Sequence, residues 1–218
     1  MILTVGNTKG GVGKTTLAVN LTIVRAMDGL DVLLVDGDEQ RTALTFTDLR
    51  TERLGAPGYT AVSLDGPAIR TQVRQLAPKY DDVIIDVGGR NTGSLRAALM
   101  VSDMILIPMQ PRSFDLWAMD QMAELVSEAR ELNPTLRAVL VINAADAQGS
   151  DNQDAAAALQ EVPDMTVLSV TIGRRKAFPN AAAAGRAVTE PGRDKDAKAA
   201  AEMMAIVQSL YVQQPSGG

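Results

Sequence analysis

The 218-residue chain contains no cysteine and no histidine. Without thiols it has no disulfide, no thiolate zinc site, no iron–sulfur cluster and no cysteine nucleophile. Without imidazole it lacks the usual general base and metal ligand of neutral pH. Acid–base work therefore falls to carboxylates, lysines or water. No run approaches 18 apolar residues, so no transmembrane helix is expected. No charged region followed by a cleavable apolar one opens the chain, so no signal peptide is expected. The stretch Leu210-Tyr211-Val212-Gln213-Gln214-Pro215 has no basic face, which argues against a membrane-binding end. An excess of positive charge is missing too, the formal net charge being −5. Contact with nucleic acid would have to come from a local patch. The expected location is the cytoplasm.

The composition, 46% hydrophobic and 22% charged, is that of an ordinary globular chain. It suits one large domain over residues 1–218, with 213–218 fraying. Apolar, strand-like runs fall at residues 2–5, 32–35, 83–85, 104–107, 138–142 and 166–168. Helical patterns lie between them at 14–28, 42–53, 68–76, 94–101, 116–132 and 152–161, and an alanine- and methionine-rich helix over 195–212 closes the chain. The strand runs are almost continuously apolar, as when helices cover both faces of a parallel sheet. The fold class is therefore α/β: a doubly wound, mostly parallel sheet with helices on both faces. Ligands in such folds bind at the carboxyl ends of the strands.

The loop after the first strand reads Lys9-Gly10-Gly11-Val12-Gly13-Lys14-Thr15-Thr16 and runs into a helix. A glycine-rich strand-to-helix turn is the setting of a phosphate-binding loop of P-loop NTPases. Glycines let main-chain N–H groups close on phosphate oxygens, and the helix N-terminus adds partial positive charge. Lys14 can reach the terminal phosphates of ATP or ADP, and Thr15 can ligate Mg²⁺. Phosphoryl transfer needs mostly positioning and electrostatics, which suits a chain without histidine.

Two further strand ends carry carboxylates. The second strand runs into Asp36-Gly37-Asp38-Glu39-Gln40, and Asp82-Val83-Ile84-Ile85-Asp86-Val87-Gly88-Gly89 is an apolar strand ending in Asp86, the Walker B form. Asp86 would hold Mg²⁺ through water, and Gly88-Gly89 would let backbone approach the γ-phosphate. A solvated turn and a strand-end cap are the structural alternatives for Asp36, Asp38 and Asp86. Asp81 and Asp82 read as solvated. Val141-Ile142-Asn143-Ala144 places an amide where adenine could be read, and an ordinary turn asparagine fits nearly as well. The lone Trp117, after Phe114 and Asp115, reads as core or interface packing. Arg174, Arg175 and Lys176 form the densest basic cluster, with Lys195 and Lys198 in the same third of the chain. These are either DNA contacts or a solvated face.

Lys9 beside a glycine pair, with Thr8 where a strict Walker loop has glycine, resembles the deviant Walker A loop of the ParA/MinD family. The resemblance implies that Lys9 reaches the nucleotide of the opposite subunit in an ATP-dependent homodimer, so that Lys9, Lys14 and Asp38 carry hydrolysis. Residues 36–40 are similar to the family's Walker A′ motif, with Glu39 in place of the usual proline. On that likeness Asp38 orients the attacking water and Asp36 supports the Mg²⁺ shell. Residues 103–111, the segment 172–180 and the Gly185-Arg186-Ala187-Val188-Thr189-Glu190 stretch resemble later family segments, the second of these a base-stacking loop. Missing cysteines argue against nitrogenase-type iron proteins and arsenite pumps. A small ParA-type partition ATPase is what the likeness implies. It would bind DNA nonspecifically on the nucleoid and answer to a ParB-type centromere-binding or cargo adaptor protein. A positioning ATPase for another cargo, and a P-loop biosynthetic enzyme such as dethiobiotin synthetase, are the alternatives.

Overall fold

The computed structural model describes residues 1–89, 92–111, 116–146, 151–192 and 196–211. The strands are β1 (Ile2–Val5), β2 (Val32–Asp36), β3 (Thr60–Ser63), β4 (Asp82–Asp86), β5 (Met104–Met109), β6 (Arg137–Ala145) and β7 (Thr166–Gly173). The helices are α1 (Lys14–Met27), α2 (Thr42–Leu54), α3 (Pro67–Leu76), α4 (Thr92–Leu99), α5 (Leu116–Leu132), α6 (Asp151–Gln160), α7 (Ala177–Ala183) and α8 (Ala197–Tyr211). All seven strands join one sheet in the order β3-β2-β4-β1-β5-β6-β7, and every pairing is parallel.

β2, β4 and β5 are buried at every position because helices lie on both faces. One face packs α3, α4, α5 and α6 through Ile69, Leu95, Met122 and Leu159. The other packs α1, α2, α7 and α8 through Leu21, Phe46, Phe178 and Met203. The apolar residues of α1, α3 and α8 recur at helical spacing for this reason.

Two elements escape the periodicity. β3 is a four-residue edge strand, Thr-Ala-Val-Ser, with Thr60 exposed and the others half-buried. That is too short and too wet for an apolar run to announce it. α7 has seven residues and buries only Phe178, and its first turn falls in the segment likened to a base-stacking loop. Asp82 is not solvated as expected. It is buried, and the Arg25 guanidinium donates to it at 2.6 Å while lying 3.9 Å over the Tyr211 ring.

Strand register sets the functional edge. Asp36 of β2 pairs with Asp86 of β4, which pairs with Val5 of β1, which pairs with Leu106 of β5. The loops leaving β1, β2 and β4 therefore emerge side by side. A clamp ties α2 to the chain that follows α7. Arg50 donates to both carboxylate oxygens of Glu190 at 2.7 and 2.9 Å, to the Gly185 carbonyl at 2.8 Å and to the Pro57 carbonyl at 2.7 Å. Gly185 sits at φ +67°, and a side chain there would meet the Arg50 backbone at 2.8 Å.

Burial raises the Glu190 carboxyl, but the Arg50 bonds and the Ala187 N–H outweigh it and hold the group below its ordinary value. A depressed carboxylate contributes stability that is present above the unfolded pKa and lost as pH falls through the folded one. Glu190→Ala strands a mostly buried guanidinium and should cost about 3–5 kcal/mol at neutral pH. Urea midpoints of wild type and variant should converge as pH falls through the carboxylate range. A pH-independent gap would mean that the pair is not what holds the segment.

Candidate functional site

The chain leaves β1 at Val5, turns through residues 6–13 and enters α1 at Lys14. Gly11 and Gly13 have φ +74° and +94°, a region side chains avoid. Gly13 caps α1 without a side-chain bond, and no acid sits in the first turn. The first N–H groups of the helix are thus left for an anion. They open into a cleft of about 640 Å³ lined by Gly10, Gly11, Lys14 and Thr15 on one side and by Asp38, Glu39 and Gly89 on the other. A larger groove of about 1110 Å³ runs along α5 and reaches Thr8 and Lys9. The smaller cleft holds the charge pattern suited to phosphate.

Lys14 is only 8% exposed, and its ammonium donates to the Lys9 carbonyl at 2.7 Å. Burial lowers its pKa, opposed by the charges of Asp86 and Asp38. Lys9 is half-buried, and its backbone N–H donates to Asn7 Oδ1 at 2.9 Å.

Asp86 is 1% exposed, and one of its oxygens is buried with no hydrogen-bond partner. Burial pushes its carboxyl up to about 7, against a Thr15 hydrogen bond and the Lys14 charge. Asp36 is placed differently. Its oxygens accept the Asp38 N–H at 3.1 Å and the Leu44 N–H at 2.9 Å, so it holds the turn into α2. Burial raises its pKa, and those N–H groups oppose the rise. Asp38 accepts the Gln40 N–H at 3.0 Å, and its carboxylate packs on Gly88, where a Cβ would lie 2.6 Å from Asp38 Cγ. A Cβ on Gly89 would lie 2.9–3.0 Å from the Thr8 and Lys9 backbone. The β4 loop thus braces both Asp38 and the Lys9 turn.

These donors fit Mg²⁺. The orphaned Asp86 oxygen and the Thr15 hydroxyl are hard ligands beside a phosphate cleft. Mg²⁺ typically takes one or two protein oxygens, with water and phosphate completing its octahedron. Among the described residues no cluster of three or more acidic side chains forms a cage by itself, so this pair would depend on the phosphates of its ligand. Bound there, the ion would neutralise charge developing on the phosphates.

Asn143 is placed behind the loop. Its amide donates to the Val12 carbonyl at 2.7 Å, and a Cβ on Gly13 would fall 2.2 Å from that nitrogen. One N–H of the amide placed where adenine could be read is thus bonded to the loop backbone. Gln110, not singled out from the sequence, donates to the Gly11 carbonyl at 2.8 Å. Its only sequence signal is its place directly after a buried strand.

The basic residues are not equivalent. Arg175 makes a two-pronged ion pair with Glu202 of α8. Arg174 is half-exposed and 3.6 Å from Asp146. Lys176 and Lys198 are exposed, and Lys198 lies one helical turn before Glu202. Lys195, Phe114 and Asp115 lie outside the described residues, as does the Trp117 side chain. No helix among the described residues is long and apolar enough to cross a membrane.

With this geometry in view, the comparisons with known proteins are specific. The model of the CobQ/CobB/MinD/ParA nucleotide-binding domain matches residues 3–188. Maintenance of carboxysome distribution protein A of Halothiobacillus neapolitanus is 30% identical over 87% of this chain and 87% of its own. The chromosome-partitioning ATPase Soj of Thermus thermophilus is 28% identical over 94% of this chain and 96% of its own. An ATP complex of a Cyanothece McdA variant has the same fold, with a TM-score of 0.79 at 18% identity over 99% of this chain and 98% of that one.

Lys14→Ala should weaken binding of a nucleoside triphosphate by about 1.5–3 kcal/mol, the worth of one charge-assisted contact. Calorimetry tests this, and equal affinities would mean that the cleft is not a phosphate site.

Proposed function

The chain belongs to the CobQ/CobB/MinD/ParA family of nucleotide-binding domains, and from that premise we propose that it is an ATPase of DNA partition. In this reading it dimerises on Mg-ATP, binds DNA nonspecifically as the ATP dimer, and lets go after hydrolysis stimulated by a partner protein. The observation that carries the reading is the grouping of Lys14, Thr15 and Asp38 around one cleft, with Asp86 buried behind it in hydrogen-bond contact with Thr15 and the Lys9 turn packed on Gly89. Lys14 and Thr15 take the phosphates and Mg²⁺, Asp86 holds the ion from the opposite strand end, and Asp38 orients water. Lys9 crosses to the nucleotide of a second copy. Asp36 serves by keeping Asp38 in place beside the Mg²⁺ shell. Intrinsic turnover is weak because a ParB-type centromere-binding or adaptor protein completes the active state. The ATP dimer sits on the nucleoid.

A second reading has the same engine and another cargo. The 30% identity to a carboxysome distribution protein favours it, since that relative is named for distributing carboxysomes rather than DNA. Both readings share the nucleotide cycle and differ in the adaptor. A P-loop biosynthetic enzyme would instead turn over a small carboxylated substrate without protein or DNA.

Asp38→Ala, and Gly88→Ala with a methyl in the space of the Asp38 carboxylate, should bind ATP and lose hydrolysis. For the glycine variant the loss should be on the order of a hundredfold, as for a misplaced reacting group. Phosphate release measured at saturating ATP decides it, and wild-type rates in Asp38→Ala would remove that residue from the mechanism.

Lys9→Ala should bind ATP and stay monomeric by light scattering with a slowly hydrolysed analogue. Gel shifts should then show DNA binding by wild type with ATP, none with ADP, and none by Lys9→Ala. Wild-type binding should fall steeply with salt and ignore sequence. Binding that ignores nucleotide state refutes the cycle. Absence of binding at low salt favours the biosynthetic alternative.

A further inference from the structure

The loop's own carbonyls carry information beyond the family motif. Three carboxamides stand at the ends of β1, β5 and β6, which are neighbours in the sheet. Asn7, fully buried, donates to the Pro108 carbonyl of β5 at 2.9 Å and accepts the Lys9 N–H at 2.9 Å. Gln110 donates to the Gly11 carbonyl at 2.8 Å, and Asn143 donates to the Val12 carbonyl at 2.7 Å. Met109 and Ile142 are register partners, so Gln110 and Asn143 are the next position on each strand. They grip successive carbonyls of the loop from adjacent strand ends.

The chain distorts itself to make one of these contacts. Ala144 has φ +53°, a conformation that costs a side-chain-bearing residue energy, and the β6–β7 register shifts between Ile142 and Ala145. Such irregularities re-aim a side chain at a strand end. Here the side chain is Asn143, pressed so closely on Gly13 that only glycine fits opposite it.

A trans peptide points its C=O and the following N–H in opposite directions, and no cis peptide occurs among the described residues. Holding the Gly11 carbonyl therefore aims the Val12 N–H away from Gln110. Holding the Val12 carbonyl aims the Gly13 N–H away from Asn143. Neither amide lines the phosphate cleft, whereas Gly11 and Gly13 on either side of Val12 do, which leaves the N–H side of these peptides for the cleft. Without the grip, peptides flanked by Gly11 and Gly13 have the freedom to flip and present a carbonyl to the phosphates instead.

We infer that Gln110 and Asn143 are positioning residues for phosphate binding: by bonding the Gly11 and Val12 carbonyls from behind, they orient the loop's N–H groups toward the nucleotide's phosphates before it arrives. This rests on the proposed nucleotide site and assigns Asn143 to the phosphates rather than to the base.

Inorganic tripolyphosphate, which has no base, separates the two roles. Gln110→Met and Asn143→Leu keep side-chain volume and remove the donor, and Gln110→Ala and Asn143→Ala serve if either fails to fold. Calorimetry with the full chain should show each folded variant losing roughly fivefold in affinity, the worth of one neutral hydrogen bond. The loss should be equal for ATP and tripolyphosphate, with the preference for ATP over GTP unchanged. A variant that loses ATP but keeps tripolyphosphate, or loses the ATP preference, is a base reader and overturns the inference. So does a folded variant that binds both ligands as wild type does, even with a lowered urea midpoint, since that marks a merely structural role. Wild type that binds neither ligand overturns the nucleotide site itself, a result distinct from either.

Discussion

The burial of Lys14 and Asp86 within electrostatic reach of each other is the constraint around which the site is arranged. Both groups lie at strand and helix ends under the phosphate loop, and burial works against the charged form of each. An ammonium loses water and gains the Lys9 carbonyl. A carboxylate loses water, gains the Thr15 hydroxyl and keeps one oxygen without a partner. Such an arrangement is poor as a source of stability, because replacing buried charges with apolar groups commonly costs a protein nothing. It makes sense as half of a charge network whose remaining members are phosphate oxygens and a divalent cation. A bound cation would supply what the orphaned oxygen lacks, and bound phosphates what the lysine lacks.

That network holds only if its members are fixed before the ligand arrives, and the sheet provides the fixing. Parallel register brings the ends of β1, β2 and β4 together, and two glycines after β4 allow very close packing. Gly88 seats the Asp38 carboxylate and Gly89 seats the Lys9 turn. Asp36, though acidic and completely buried, gives both oxygens to backbone N–H groups and so fixes where Asp38 leaves the strand. The three motifs are one braced unit, in which movement of the β4 loop shifts both the Asp38 carboxylate and the lysine turn. The other side of the phosphate loop rests on amides from β5 and β6, so the loop is gripped between two strand pairs.

The sheet was legible where burial is complete. β1, β2, β4, β5 and β6 read as apolar runs because helices cover them on both faces, and α5 could be bounded at both ends from its periodicity. The phosphate loop was legible because its glycines, lysine and threonine follow a strand and precede a helix, a context that few other turns share. β3 and α7 were not, because four half-wet edge residues and a one-anchor helix bury too little to leave a pattern. Side-chain partners lay further out of reach. The amide of Asn143 and the guanidinium of Arg175 are each committed to groups more than twenty residues away in sequence. Asp82 looked like a surface acid until Arg25, fifty-seven residues earlier, closed over it. Residue type and spacing report which groups can do chemistry; which contact each one makes is decided by the fold.

The same distinction bears on how an acidic chain would hold DNA. Arg175 is neutralised by Glu202, and Arg174 lies close to Asp146. Lys176 and Lys198 are the exposed cations left near the end of β7 among the described residues considered for this role. Nonspecific affinity grows with the number of phosphates neutralised, so two lysines on one copy bind weakly against a net charge of −5. Two copies joined through the nucleotide face, as proposed, would double the count and convert the second contact into an intramolecular one, which raises avidity without any new residue. A sparse basic surface is thus suited to a nucleotide-controlled clamp. Weak as a monomer and adequate as a dimer, it would let hydrolysis rather than a competing ligand decide when the DNA is released. A denser patch would hold DNA in every nucleotide state and uncouple the cycle from its cargo.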